Sequence, residues 1–578
     1  LLDPAAVSLN LVETFEDAEE FMRWLGERRP VLACDTETGG LDWWKDRLRL
    51  VQFGDPRAGW AVPWQDWGGL VRETFRRYTG PLVFHNAKFD MHYLEREGCS
   101  PPRAACDDTA IMSHLLDPNG LHGLKPLGVR YVDTRLGAGQ NDLHTWMVRN
   151  KYTWDTIPVD YAPYWSYAAL DTVITACLHE KFTPLIETYR EAYELDVAAL
   201  FAIMDMETRG ARIDVEYCTR KRAELITYVD EMADWIKEEW GCGVGNTDAA
   251  ARLLVDGVVL TEKTETGQWK MDAEVLAEID HPLAAGLLKR RQAQKIANAY
   301  FKNLLGDRDG DIIHPDVKTL GARTGRMSVS RPALQQLPRG RLVRDAFIPR
   351  EGNVMVDFDY DQLEARLTAH FSGDTGMIEA FAEADSGAGD FFTLLARRLT
   401  GNPNLQKEAK ERQDTKQACY GTIYGAGVAT FARRAGVEIG PAQLFLDSYY
   451  AAFPKIKELQ HGVQTLAKRR LAEEGVPYIF TPWGRRLTGD EDTIYALVNY
   501  LIQGTAADLF KQKVVDLDNA GLLGYAVLPV HDELLFDVPK EEAEDLVHEV
   551  EAVMGETERF LVPLTCSGSV GATWGEVH

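Results

Sequence analysis

The 578-residue chain has no apolar run approaching the roughly 20 residues that a helix needs to cross a bilayer. Acids at Glu13, Glu16 and Asp17 stand where a secretory leader would carry basic residues. Cysteine is sparse: the eight are scattered, without the paired spacing of a zinc site, so reduced thiols are the default. These absences lead to the expectation of a cytoplasmic protein that is not secreted and contacts no membrane. Positive charge is also scarce. Lysine and arginine number 63 against 89 aspartates and glutamates, a net charge of −26. Taken as a sum this argues against a nucleic-acid partner, because phosphates attract cations, but local distribution matters more than the total. What the chain does have is length for several domains and a hydrophobic content of 45%, normal for a globular protein. It opens at Leu1, which leaves room for an upstream portion.

The stretch from Val354 to Arg366 organises the rest. Val354, Val356 and Phe358 alternate with Met355, Asp357 and Asp359, so a strand here places acids on one face. From Gln362 the period changes: Leu363, Leu367 and Phe371 recur every fourth residue, which predicts a helix directly after the acids. Most strands with a polar face merely solvate it. A second piece weighs against that here. Ala526–Val530 and Leu534–Val538 are apolar runs flanking His531, Asp532 and Glu533, a predicted hairpin with acids at its tip. Two-metal phosphoryl transfer uses shared carboxylates to hold ions roughly 3.5 to 4 Å apart, one activating a hydroxyl and one stabilising the leaving oxygen. Between these pieces, Arg412, Lys416, Tyr420 and Tyr424 are spaced four apart on a single helix face. Two cations suit a triphosphate, and an aromatic suits a base.

Asp359-Tyr360-x-Gln362-x-Glu364-x-Arg366, the Arg/Lys/Tyr helix and His531-Asp532-Glu533, in that order, resemble the three polymerase motifs of the family A DNA polymerases, the bacterial DNA polymerase I group. The resemblance implies that Asp359 and Asp532 are the metal-binding carboxylates, with the Tyr360 carbonyl as a further ligand. Spacing alone leaves Asp357 and Asp361 open. It also implies that Arg412, Lys416, Tyr420, Tyr424, Glu364, Gln362 and His531 surround the incoming dNTP. Lys416 would be the proton donor to pyrophosphate, Tyr420 would stack on the nascent pair and Glu364 would exclude a ribose 2′-hydroxyl. Tyr424 would cover the templating base until the fingers close. Tyr420 stands where many bacterial members have Phe, which implies weaker discrimination against dideoxynucleotides.

The amino-terminal region carries separate chemistry. Val31–Cys34 is a buried-strand-like run leading to Asp35-Thr36-Glu37, with Leu48–Phe53 as its expected neighbour. Asn86-x-x-x-Asp90 and Tyr167-x-x-x-Asp171 follow. A lone D-x-E is weak, but the ordered set resembles the DEDD proofreading exonucleases. The resemblance implies that Asp35, Glu37, Asp90 and Asp171 bind two metals and that Tyr167 orients the attacking water.

Lys318 to Arg350 is the clearest electrostatic footprint: eight basic residues (Lys318, Arg323, Arg326, Arg331, Arg339, Arg341, Arg344, Arg350) against the single acid Asp345. Within it Thr324-Gly325-Arg326 and Pro332 to Pro338 resemble the family segment along the minor groove, where acceptor positions vary little among correct pairs. Ala333 replaces a common Asn, while Arg326 and Gln335 remain candidate DNA contacts, joined by Asn499 and Gln503 near the primer–template junction. Lys289, Arg290 and Arg291 lie on a predicted basic helix, Leu288–Leu305, which fits a thumb gripping the backbone. Asp390-Phe391-Phe392 departs from the family's frequent Asp-Ile-His, with no consequence evident in sequence, whereas Tyr495 and Pro529 stand in place of the usual Arg and Gln and imply a divergent, phage-like member with an altered primer contact. The ending Gly571-x-x-Trp574-Gly575-x-x-His578 is close to the family's own.

The expected fold is multidomain α/β and α+β: an RNase H-like exonuclease domain at 1–187, then a right hand with thumb at 188–315, palm at 316–372 and 490–578, and fingers at 373–489. The expected function is a template-directed DNA polymerase with 3′–5′ proofreading, serving replication or repair. It would use two Mg²⁺ per active site, with Mn²⁺ able to substitute, and act as a monomer on primer–template DNA and dNTPs. Two alternatives are a single-subunit RNA polymerase, against which Glu364 and the attached exonuclease speak, and a non-catalytic scaffold, against which the complete acid sets speak.

Overall fold

A computed structural model describes residues 7–578 apart from 138, 339, 424, 426 and 557, so Arg339 and Tyr424 lie outside the described residues. The amino-terminal region builds a six-stranded sheet from β1 (Ser8–Leu11), β2 (Leu32–Thr38), β3 (Leu48–Gly54), β4 (Ala58–Pro63), β5 (Leu82–Phe84) and β6 (Cys106–Asp108), ordered β1-β4-β3-β2-β5-β6. β2 pairs antiparallel with β3 and parallel with β5, so the Asp35-Thr36-Glu37 strand is interior to the sheet. Leu32, Ala33 and Cys34 are fully buried, as their apolar run predicts. Helices α1 (Ala87–Arg96), α2 (Leu124–Tyr131) and α3 (Ala162–Ile186) bring further side chains to the same strand. The predicted neighbour Leu48–Phe53 forms as β3.

Two long helices follow, α4 (Arg190–Arg209) and α5 (Val215–Trp240). α4 ends at Gly210, whose φ of 63° is a conformation only glycine adopts readily, as the sequence suggests. The predicted basic helix Leu288–Leu305 is three pieces: α6 (Pro282–Lys295), a π-helical turn at Ile296–Phe301, and a short α-helical end at Lys302–Gly306.

The carboxy-terminal half is built on the sheet that the opening motif predicts. After a short antiparallel pair, β7 (Asp316–Lys318) and β8 (Ser328–Ser330), the strand β9 (Asn353–Tyr360) leads into helix α7 (Leu363–Ser372). Helices α8 (Phe391–Thr400), α9 (Lys410–Ile423) and α10 (Leu497–Asn519) precede β10 (Ala526–Val530), β11 (Glu533–Pro539) and β12 (Cys566–Gly571), and α11 (Trp574–Val577) closes the chain. The sheet order is β10-β11-β9-β12, all antiparallel. β9 is central and its residues 355–358 are buried on both faces, so the alternation of its sequence reflects a cleft at its end and not a solvated face. Glu533 already belongs to β11, which shortens the predicted hairpin tip to His531 and Asp532.

Two buried ionic junctions tie these parts together. In the first, Lys88 of α1 pairs with Glu207 of α4, and with Asp316 of β7 at 3.2 Å, while His92 Nε2 meets Glu207 at 2.7 Å. Lys88 also donates to the Val317 carbonyl at 2.9 Å. In the second, Arg485 bridges Asp508 of α10 at 2.7 Å and Asp196 of α4 at 2.8 Å, and Lys511 meets Asp196 at 2.6 Å. These four side chains are at most 1% exposed, two of each sign, so their charges balance inside the fold. Removing one partner leaves an uncompensated buried charge. Arg485→Met is therefore expected to lower stability by roughly 3–5 kcal/mol, read as a fall in the guanidinium unfolding midpoint.

Candidate active sites

At the first site, alternation along β2 places Asp35 and Glu37 on one face of the sheet. Tyr167 and Asp171 are four apart on α3 and share the helix face turned toward that strand. Carboxylate oxygens of Asp35, Glu37 and Asp171 lie within 4.8 Å of one another. Asp90, in the first turn of α1, is 2% exposed and accepts a hydrogen bond from Thr36 Oγ1 at 2.6 Å, so the fourth predicted acid lies beside the strand but outside that closest group. Hard oxygen donors this close together fit a divalent cation. Burial pushes Asp35 up to about 6. Burial, then repulsion from Asp35, pushes Glu37 up to about 8.

The sequence reading missed Lys125. From α2 its ammonium contacts Asp171 and lies 3.8 Å from the centre of the Tyr167 ring. Burial depresses it to about 8, against the pull of Asp35 and Glu37. It sits in a short helix that also carries Arg130, with no local pattern that singles it out, and only the packing of α2 against α3 brings it to the acids. A cavity of about 680 Å³ is lined by Leu41, Asn86 and Phe89 together with Trp43, Lys318 and Arg331, and so reaches from α1, the helix that carries Asp90, to the β7–β8 segment.

The second site lies at the end of β9. Register pairs Asp359 directly with Glu533 across the ladder, and the turn residue Asp532 follows β10. Asp359 is exposed near the end of β9. Crowding by protein there, then repulsion from Asp532 and Asp357, pushes it up to about 7. Asp532 is raised by burial against the opposing pull of Arg326. The Tyr360 hydroxyl is committed to the Met554 carbonyl at 2.8 Å, which leaves only its backbone for the cleft. Gln362 caps α7 in the left-handed conformation (φ 58°) and sets the start of the helix that carries Glu364. Arg326 bonds Glu364, and His531 Nε2 lies 3.2 Å from the Gln335 carbonyl. The Gln335 amide is itself occupied by Met327 and Val329 backbone groups. Asn499 and Gln503 lie on α10 with partial exposure.

On α9, Arg412 and Lys416 project from one face, and their settings come from Asp390 and from Phe392, whose departure from pattern had no evident meaning in sequence. Asp390, the N-cap of α8, holds Arg412 at 2.9 Å. Phe392 lies 5.5 Å beneath the Lys416 ammonium and 5.7 Å from the Tyr420 ring. The basic footprint is also less free than its sequence suggests: Arg323 pairs with Asp490, Arg326 with Glu364, Arg331 with Asp42, Arg341 with Glu576 and Arg350 with Asp537. Counting along the chain misses partners that approach through space. On α6, Arg291 is spent on the Met271 carbonyl and on Asn246, and Arg290 reaches the Val229 carbonyl at 3.2 Å, while Lys289 is exposed.

Comparison with known proteins follows this division. Residues 215–576 match DNA polymerase family A, and residues 9–187 match the 3′–5′ exonuclease family. The DNA polymerase of Mycobacterium phage D29 is 30% identical over 99% of this chain and 97% of its own. That of Mycobacterium phage L5 is 32% identical over 93% and 92%. DNA polymerase I of Chloroflexus aurantiacus is 31% identical over 86% of this chain and 55% of its own. Among solved structures, the POL domain of Pol1 from M. smegmatis, in complex with DNA primer-template and dNTP, shares the fold with a TM-score of 0.79 and 24% identity, covering 98% of this chain and 100% of that one. The chain belongs to DNA polymerase family A and is a DNA polymerase that carries a 3′–5′ exonuclease domain.

Proposed function

We propose that the cleft at the end of β9 is the polymerising site and the acid cluster on β2 the proofreading site, each holding two Mg²⁺ ions for which Mn²⁺ can substitute. Both domains belong to families that use divalent metals. The observation that carries the reading is the convergence of Asp359, Asp532, Arg326 and Glu364 from separate elements to within electrostatic range of one another. Bound there, the ions would lower the pKa of an attacking hydroxyl and neutralise charge on the leaving oxygen.

The chain's own residues supply position and charge. Asp359, Asp532 and the Tyr360 carbonyl hold the cations. Arg412, kept in place by Asp390, and Lys416 bind the triphosphate, Lys416 passing a proton to the departing pyrophosphate. Tyr420 stacks on the nascent pair, and Glu364, buttressed by Arg326, fills the space of a ribose 2′-hydroxyl. At the other site Asp35, Glu37, Asp90 and Asp171 hold the cations, Tyr167 orients a water, and Lys125 steadies Asp171. The cavity beside Asn86 and Phe89 takes the frayed, single-stranded primer end. In this reading 1–187 is the exonuclease domain, 188–315 the thumb, 316–372 with 490–578 the palm, and 373–489 the fingers. Lys289 is an exposed thumb cation for the duplex backbone. Primer–template DNA and dNTPs are the partners, and the acting species is a monomer.

The test is a gel assay of a 5′-labelled primer on a longer template with Mg²⁺. The chain should lengthen the primer with dNTPs and shorten it without them; a primer that never lengthens would sink the polymerase reading. A second expectation concerns protons. Without metal, Glu37 at about 8 is largely protonated at pH 7. Cation binding needs the ionised carboxylates, and burial raises Asp35 and Asp90 as well, so binding should expel protons at the exonuclease site and tighten as pH rises toward 8. Titration calorimetry in buffers of different ionisation enthalpy reads this directly, and buffer-independent heats would contradict it.

A further inference from the structure

Next to Asp359 the same face of the sheet carries a second group of potential ligands. Asp357 lies two residues before Asp359 on the same face of β9, and Glu533 is diagonal to it on β11. From the end of the chain His578 turns back onto the pair, its Nδ1 3.2 Å from Glu533 Oε1 and 3.8 Å from Asp357 Oδ2. One donor atom from each of the three lies within 4.8 Å of the others. The imidazole is delivered by a firmly seated element. Trp574 of α11 is fully buried against Phe347, with ring centres 5.2 Å apart, and its backbone N–H donates to the Phe347 carbonyl at 3.1 Å.

An acidic pair facing a histidine is often just an ion pair with an imidazolium. Here a second observation bears on the choice. The Asp357 side chain is 4% exposed and that of Glu533 10%, yet Asp357 Oδ1 and Glu533 Oε2 are buried with no hydrogen-bond partner. One imidazole engages a single oxygen of each carboxylate and leaves the other two stranded, at a cost of about 1–3 kcal/mol each. The buried Arg344 acts on both carboxylates through space but bonds neither stranded oxygen, and a cation chelated by both oxygens of each carboxylate satisfies the pair. We propose that Asp357, Glu533 and His578 form a third divalent-cation site of the polymerase region, distinct from the Asp359 and Asp532 cleft. The mixed oxygen and nitrogen set selects a first-row transition ion of the Mn²⁺ or Zn²⁺ class over Mg²⁺, which favours oxygen alone. Such an ion ties the closing helix to the central strands and fixes Glu533, the ladder partner of Asp359.

The inference stands whether or not Asp359 and Asp532 carry the roles given above, and its test separates the two. Mn²⁺ is titrated into the full chain in excess Mg²⁺, and bound ion is followed by pulsed electron paramagnetic resonance. The expected result is ¹⁴N modulation from one imidazole ligand in the wild-type chain and in His531→Ala, lost in His578→Ala together with one bound ion. Asp357→Asn, which preserves shape, should weaken that ion by about tenfold or more. Asp359→Asn should leave the nitrogen signal in place even as extension fails. Absence of nitrogen modulation in the wild-type chain, or an unchanged ion count in both His578→Ala and Asp357→Asn, would overturn the site and leave His578 as a counter-charge only.

Discussion

Asp359→Asn is expected to lower primer extension on the order of 10⁴-fold while primer shortening and DNA binding persist. The substitution keeps the shape of the side chain and removes one anionic donor from the cleft floor. Loss of fold would be a trivial explanation, and the electrostatics argue against it. A carboxyl raised from 3.8 to about 7 is one whose ionised form the metal-free fold resists. Relative to the unfolded chain, its contribution is most favourable below about 3.8 and is lost as pH rises through about 7. The neutral amide removes that penalty, so the melting temperature of Asp359→Asn without metal should equal or exceed that of the wild type at pH 8. Extension rates by rapid quench, beside a thermal melt, read both halves. Extension at even a tenth of the wild-type rate would remove Asp359 from the site.

The second large effect is at the other site. Glu37→Gln should slow removal of a primer 3′-terminal nucleotide on the order of 10³-fold or more and leave extension with dNTPs unaltered. Glu37 is the better choice over Asp171 for a physical reason. Asp171 is the direct partner of buried Lys125, so its removal strands an ammonium in the interior and mixes a folding defect with the chemical one. Single-turnover degradation of a mispaired primer measures the effect. Undiminished degradation would move the exonuclease chemistry away from β2.

How legible this was in sequence depends on the range of each interaction. The strand and helix around Asp359 were readable because periods of two and four are local, and both form where those periods change. β2 beside β3 was readable for the same reason. The pairing of Asp390 with Arg412 spans 22 positions and the seating of Lys416 over Phe392 spans 24, so neither has a local signature; both needed α8 to pack beside α9. Arg485 meets Asp196 from 289 positions away. Lys125 reached the exonuclease acids by helix packing alone. The basic stretch from Lys318 to Arg350 read as open positive charge because its acids, Asp42, Glu364, Asp490, Asp537 and Glu576, are distant in the chain.

The junction of Lys88, His92, Glu207 and Asp316 has a consequence for modularity. The two activities occupy separate stretches of sequence, which suggests that either could be exchanged or excised by cutting near residue 187. The seam in space lies elsewhere. Glu207 is 3% exposed, and its cation and its histidine partner both come from the exonuclease side. A polymerase fragment cut there would inherit a carboxylate shaped for an interior and presented to water, along with a strand, β7, that has lost an anchor. Recombination between relatives would carry the same burden unless both sides of the seam moved together. The proofreading and synthetic halves are thus bound as one heritable unit by a lysine and a glutamate that belong to neither acid cluster.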